Sequence, residues 1–587
     1  MPLLPVIALC AVVLLVAYFT YARLVMRWLG VDASRVTPAT ERADGNDFVP
    51  ASAGVVLGGH FTAIAAAGPV VGPILAGLAF GWVPAMIWIV LGAIFVGAVH
   101  DSGALLASVR HGASSITQVV REHMSRTAYL TFLAFVWISL LYVIVAFTDV
   151  VTGTFARFQT ITFPGANGAA SQTFTLNGGA VAIGAGAYLL ASILMGLALR
   201  FTRIPWYALL PLAVAGLGAV IAYSPSWAAA LAPVLPFLQT EGKDAAALNT
   251  PWELTLLVYC FFASITPMWL LLQPRGVIGA TFLYAALGFG VVGTLVGGWS
   301  GTSSLAIQYP AFIAFDSALG WMFPFLFITI ACGACSGFHS IVASGTTCKQ
   351  LRSEGDVRPV AYGAMLLEAM VAVFSLACVM ILIPAQAKGA SPDALYARGL
   401  GTFMSYSGVP LAFGIGFGLL AFSSFVFDTL DVCTRLGRYV LQEMTGLRGK
   451  LGGAIATVLT LLPPGVYLVT AKPGAFRTFW TLFGTSNQLL AALTLVGVSV
   501  WLYRTGRPVL FALVPAGFML VTTTTALVLN LHSHLKQYQS SASPEVTASA
   551  VLNASIALTL LTLAAIVATE AVRVLRRARS AVATSPA

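Results

Sequence analysis

Apolar runs of about twenty residues recur from one end of this chain to the other, each near the ~20 residues a helix needs to cross ~30 Å of hydrocarbon. They fall at 3–22, 53–80, 84–109, 128–156, 179–199, 204–222, 252–272 and 277–298, then at 322–346, 360–385, 408–432, 451–471, 480–503, 507–530 and 551–573. Backbone polar groups cannot face lipid unpaired, so the expected fold is an all-α integral membrane bundle of about fifteen helices. Transmembrane strands would show alternation over about ten residues, and these runs show none. Only 9% of residues are charged, against about 25% in ordinary globular proteins. That excludes a soluble enzyme or a nucleic-acid-binding domain, and leaves the net charge of +10 to be explained by position along the chain.

No Lys or Arg precedes the first run, whereas Arg23 and Arg27 follow it. A signal peptide has the reverse order, so the run reads as an uncleaved anchor with its N-terminus outside. If the loops after odd-numbered runs share one side, that side holds 23 of the 30 Lys and Arg. The positive-inside rule makes it cytoplasmic and puts the C-terminus inside. The basic excess is therefore a topology signal: nucleic acid need not be invoked, and the short tail after Arg579 is expected to anchor to anionic lipid headgroups. Cys332 and Cys335 resemble half of a zinc or redox site, but without a partner pair they read as small packing residues.

Four segments carry polar chemistry into the bilayer. In the second run Gly58, Gly59, His60 and Thr62 precede the Gly68-Pro69 and Gly72-Pro73 pairs. Proline removes an amide donor and glycine lets the chain unwind, so this run predicts a broken helix with free carbonyls and amides for ligands. The seventh run offers a second break at Ser264-Ile265-Thr266-Pro267. The ninth places Ser340, Ser344 and Thr347 on one helical stripe beside His339 and Thr346. Such hydroxyls bond their own helix when single, and a run of them beside a histidine points to an ion site. In the thirteenth, Asn487 and Gln488 face either a substrate path or another helix.

Among the carboxylates, Glu368 lies deepest within its run, where an ionisable group is costly unless paired or near water. It is the candidate proton carrier, with Asp101 and His339 in support. Asp428 and Asp431 stand before Arg435 and Arg438, with which at least one of them is expected to pair at the interface. No nucleotide-binding loop, zinc-protease helix or nucleophile elbow is present, so transport would draw on an ion gradient.

Set aside the first run and take the next ten as a core. Five spans per half then invert the second half relative to the first, as in transporters with inverted repeats. The His60 segment becomes core helix one, the Thr266-Pro267 segment core helix six, and the Ser340–Thr347 segment core helix eight. This layout is LeuT-like, of the APC type: an anchor and loop at 1–50, a core at 51–435 and further helices at 436–587.

Several stretches also resemble the carbon starvation (CstA) family. They include Arg35–Ala39, Asp44–Pro50, Gly59-His60-Phe61 through Gly68-Pro69, Phe323–Ala334 and Ser336–His339. Ser344–Thr347, Tyr362–Glu368, Asp431 with Thr434-Arg435, and Trp480–Gly484 with Asn487-Gln488 extend the match over most of the chain. The chain departs from that pattern in its short external loops towards the C-terminal third, and in His100 where a glutamine is expected. The resemblance implies a bacterial inner-membrane secondary transporter for pyruvate or short peptides, generally proton-coupled.

The combined expectation is a symporter for a small carboxylate-bearing nutrient. Gly58, Gly59, His60, Thr62, Gly68, Ser264, Thr266 and Asn487 would bind substrate. Asp101, His339, Ser340, Ser344, Thr346, Thr347, Glu368 and Asp431 would handle the coupling ion, a proton or alternatively sodium. No cofactor or metal is expected, and the partners are the small-molecule cargo and membrane lipid. A passive channel or a membrane-embedded nutrient sensor is the alternative, the first distinguished by currents that do not saturate.

Overall fold

The computed structural model describes residues 1–44, 48–65, 67–123, 125–163, 172–299, 305–470, 476–540 and 544–583. Gly45-Asn46-Asp47, Ala66 and Lys472 lie outside these residues. Among the described residues, 12 helices are long and apolar enough to cross a membrane, and the bent pair Ala53–Ile64 and Gly68–Phe80 brings the number to 13. The two remaining apolar runs are helical but differently built. One is Ala245–Ile265, whose first half carries Asn249, Thr250 and Glu253. The other is divided into Met322–Thr329 and Gly337–Gly345. Two short ladders depart from the all-helical expectation: a hairpin pairing Phe158–Phe163 with Gln172–Asn177, and a tight turn pairing Asp316–Ser317 with Gly320–Trp321.

The first interruption lies where proline and glycine place it. Ala65 leaves the helical region (φ −79°, ψ 60°), and the second half starts with Pro69 in its first turn, where no amide donor is needed. The two halves meet at 47°. Gly58 and Gly59, expected to lend free amides, sit inside the continuous Ala53–Ile64 helix instead.

The second interruption is not at Thr266-Pro267. There the Ala245–Ile265 helix simply ends: Thr266 is extended (φ −70°, ψ 143°), as steric conflict with the following proline ring requires, and the next helix starts at Leu272. The chain breaks instead between Thr329 and Gly337, a segment without proline. Ile330 turns out of the helix (ψ 67°), and Ser336 is extended before the second half begins.

The two interrupted pairs lead into similar successions of helices. After the first come a helix containing a π segment (Trp82–Gly92, Ala93–Gly97, Ala98–Arg110), a short helix Ile116–His123 and a long one, Arg126–Ala156. After the second come a π segment (Arg358–Gly363) leading into Ala364–Met380, a short helix Pro392–Tyr406 and a long one, Leu411–Thr445. The packing is exchanged between them. Gly68–Phe80 lies on Ala364–Met380, Gly337–Gly345 lies on Ala98–Arg110, and the two long helices lie on each other. Trp480–Arg504 is buried along most of its length in this core, whereas Trp206–Leu231 is mostly exposed at its edge.

Candidate functional site

The two interruptions meet. A Cβ added at Gly68 would come within 2.3 Å of Cys332 Sγ, and one at Gly72 within 2.5 Å of the Thr329 carbonyl oxygen. Only glycine permits these approaches, of the chain at Gly68 to the Cys332 side chain and at Gly72 to the Thr329 backbone. A Gly68→Ala change should therefore separate the interruptions and abolish cargo uptake, whereas Gly59→Ala should leave uptake intact. Nothing lies within 4 Å of a Cβ at Gly59, and alanine there gains up to ~1 kcal/mol of helix propensity. Equal loss of uptake in the two variants would contradict the contact.

Asn487 and Gln488 hold the ends of the second interruption. Asn487 Oδ1 accepts from the Phe338 amide at 2.9 Å and from Ser336 Oγ at 3.2 Å. Gln488 Nε2 donates to the carbonyls of Phe327 and Ile330. The side-chain amides thus satisfy main-chain groups that the break leaves open. Truncating Asn487 to alanine strands a buried amide and a hydroxyl. The expected loss is ~1–3 kcal/mol, read as a lower unfolding temperature of the detergent-solubilised protein. An unchanged temperature would remove Asn487 from that role.

Beside this junction three fully buried ionisable groups converge from three helices. His339 Nδ1 is 2.9 Å from Asp101 Oδ2, and its Nε2 is 3.2 Å from Glu368 Oε2. The second contact is close but poorly aligned for a hydrogen bond, so Glu368 has no well-directed donor among the described residues. Asp101 Oδ1 also takes His100 Nδ1 at 2.7 Å. An imidazolium between two carboxylates leaves one net negative charge away from water, and a single added proton makes the group neutral. Burial makes the charged state costly and so ties proton occupancy to its surroundings.

His60 extends the cluster. Its Nδ1 is 2.9 Å from Thr347 Oγ1, linking the first interrupted helix to the end of the second, and it lies within electrostatic reach of Asp101 and His339. Its Nε2 is buried without a hydrogen-bond partner among the described residues. The rest of the stripe is turned inward on its own helix: Ser344 donates to the Ser340 carbonyl and Thr346 to that of Val342. Ser340 bonds the Gly337 carbonyl and also meets Thr494 Oγ1 at 3.1 Å. A cleft lined by Thr346, Lys349, Gln350, Arg435 and Tyr439 reaches this end of the stripe.

The remaining sequence candidates lie apart from the triad. Ser264 meets Thr457 Oγ1 at 3.3 Å between two helices, and the Thr266 carbonyl accepts from Arg435. Thr62 donates to the Gly58 and Gly276 carbonyls. Asp431 belongs to a second buried cluster, with a partner that the apolar runs place in a loop. Arg275, 1% exposed, pairs with both Asp428 and Asp431, while Arg435 donates to the Ala263 and Thr266 carbonyls instead. Tyr259 accepts from Arg275 at 2.7 Å and donates to Asp431 at 2.6 Å, and Tyr188 reaches Asp428. Arg275 stands three residues into its helix, after Pro274, and a position so near an apparent span end carries no signal of depth.

The chain is 30% identical to the peptide transporter CstA of Escherichia coli K12, over 87% of this chain and 79% of that one. It is equally similar to the peptide transporter CstA of Bacillus subtilis, over 96% and 95% respectively. The pyruvate/proton symporter BtsT of Escherichia coli K12 is also 30% identical, over 89% and 80%. A solved manganese transporter from Eremococcus coleocola aligns with a TM-score of 0.45 at 14% identity over 91% of this chain and 99% of that one. The family model described as carbon starvation protein CstA matches residues 3–395 and 385–526, and with that span and those relatives the chain belongs to the CstA family.

Proposed function

We propose that this protein is a secondary active transporter that carries a small carboxylate-bearing nutrient, pyruvate or a short peptide, together with a proton across the bacterial inner membrane. The observation that carries the reading is the buried Asp101–His339–Glu368 triad set directly against two facing helix interruptions. Relatives named as peptide transporters and as a pyruvate/proton symporter support the cargo class and the coupling ion.

The core is read as a five-plus-five inverted repeat. Its first half comprises the interrupted pair 53–80 and the helices Trp82–Arg110, Arg126–Ala156, Ala245–Ile265 and Leu272–Trp299. The second comprises the pair 322–345 and the helices Arg358–Met380, Leu411–Thr445, Gly449–Thr470 and Phe476–Arg504. The exchanged packing and the matching π segments support this pairing. The helices Gly178–Phe201 and Trp206–Leu231 form a hairpin inserted into the first half, which displaces the second interruption from the seventh apolar run to the ninth. The core then runs from about residue 51 to Arg504, beyond the boundary at 435 read from the sequence. The N-terminus is periplasmic and the C-terminus cytoplasmic by the distribution of Lys and Arg.

Cargo is held between the interruptions. The Gly68–Phe80 half-helix starts there without a side-chain cap, so its positive end is open to a carboxylate. The corresponding end of Gly337–Gly345 is already occupied by Asn487. Lys349 and Arg435 make the neighbouring cleft attractive to an anion and mark the cytoplasmic route.

Uptake by proteoliposomes tests the function. Labelled pyruvate, and separately a labelled dipeptide, should accumulate under an inward proton gradient and not under a sodium gradient alone. Uptake that follows neither gradient and never saturates would favour the channel reading instead.

A further inference from the structure

His111 caps the Ala98–Arg110 helix, and the chain then reverses through Gly112 (φ 71°) and Ala113 (φ 56°) into the short Ile116–His123 helix. Two successive left-handed residues are needed for this reversal, free for glycine and costly for alanine. The result brings the last residue of the short helix back to the end of the long one. His111 Nε2 and His123 Nε2 are 2.8 Å apart, and Glu122 Oε2 is 3.6 Å from His111 Nε2. One ligand atom from each of the three residues lies within 4.8 Å of the others.

The protonation pattern can be deduced at one ring. His111 Nδ1 is 2.6 Å from the Ala107 carbonyl oxygen, which only accepts, so Nδ1 carries a hydrogen and, in the neutral ring, Nε2 offers the lone pair. A backbone carbonyl on the far nitrogen is the arrangement that orients metal-ligating histidines. Trp501 packs edge-on against the His111 ring (6.0 Å, 71°) and fixes it, whereas Glu122 is exposed at the open side. The nearby Arg504 adds positive potential, which the Glu122 carboxylate offsets.

We propose that His111, Glu122 and His123 form a binding site for a divalent late first-row transition ion, best matched by Zn2+. Two imidazole nitrogens and one carboxylate oxygen are a common donor set, and water completes the tetrahedron. Zinc–nitrogen bonds of about 2.0–2.1 Å place two tetrahedral nitrogens ~3.3 Å apart, so the rings need part by only about half an ångström. Bound metal ties the Ile116–His123 helix to the end of the helix that carries Asp101. This lies outside the cargo and proton site and does not depend on that reading.

Full-length protein in detergent, freed of any affinity-tag histidines and stripped with chelator, is titrated with Co2+ alone. The expected result is one equivalent bound with the visible ligand-field bands of a four-coordinate ion, displaced by Zn2+. His111→Asn and His123→Asn should each weaken binding at least about 100-fold, at or beyond the upper end of what losing an outer-shell partner costs. Glu122→Gln, on an exposed residue that poses little risk to folding, should weaken binding less but measurably. Absence of stoichiometric Co2+ binding by the wild type at micromolar concentration would overturn the site. So would unchanged bands in His111→Asn/His123→Asn, leaving an imidazole–imidazole hydrogen bond as the whole of the contact.

Discussion

Glu368→Gln should abolish proton-driven accumulation while leaving exchange of labelled for unlabelled cargo intact. Glutamine keeps the size and an acceptor oxygen for His339 Nε2, so the packing of the Ala364–Met380 helix is preserved. What it cannot do is take and release a proton. An imposed gradient of one pH unit supplies ~1.4 kcal/mol per proton, enough for about tenfold accumulation. Wild-type proteoliposomes should approach that ratio, and the variant should stop at equal concentrations inside and outside. Full accumulation by the variant would move the coupling proton to another group. Loss of exchange as well as accumulation would make Glu368 a structural residue.

The largest effect on stability is expected at Arg275. Arg275→Met leaves Asp428 and Asp431 facing each other's charge in the interior, with Tyr259 and Tyr188 as their only close donors among the described residues. Breaking a buried pair of this kind costs ~3–5 kcal/mol, which for a chain of 587 residues corresponds to a fall of about 3–4 °C in unfolding temperature. Adding Asp428→Asn and Asp431→Asn removes the uncompensated charge, so the triple variant should recover half or more of the loss. A single variant as stable as the wild type would show the cluster to be hydrated, and a triple variant worse than the single would show the carboxylates to be held by other groups. Gly279 reports the same tight packing from another side. A Cβ there would meet Asp428 Oδ2 at 2.8 Å and the Tyr188 hydroxyl at 2.9 Å.

The helical runs were legible because each is set by a local quantity, the length of apolar chain needed to cross hydrocarbon. The first interruption was legible for a similar reason, since Gly68-Pro69 weakens a helix wherever it occurs. The second was not. Residues 330–336 contain no proline and read as one apolar run, and the break is stabilised by Asn487 and Gln488, about 150 residues away. Conversely, Thr266-Pro267 carries a strong local signal, but that signal marks the end of a helix and not a gap within one. Nothing local distinguishes the two outcomes.

The triad shows the same division. Asp101, His339 and Glu368 could each be singled out because a charge deep in an apolar run is costly. Their convergence depends on which helices pack together. The hydroxyls from Ser340 to Thr346 were prominent by spacing, yet most bond their own helix, whereas Thr347 alone of the stripe meets His60. Asp428 and Asp431 stand out in the sequence for the same reason, but their partner Arg275 does not, because it lies on another helix and the pairing exists only once Leu272–Trp299 packs on Leu411–Thr445.

Cys332 gives the most direct test of where cargo sits, because its thiol stands at the contact with Gly68 between the two interruptions. Alkylation of each native cysteine by a small maleimide is measured by mass spectrometry, with and without saturating pyruvate or dipeptide, whichever the liposomes accumulate. Transported cargo should lower labelling at Cys332 several-fold and leave Cys10, remote in the first helix, unchanged. Labelling of Cys332 that proceeds equally in both conditions would mean that the cargo passes elsewhere.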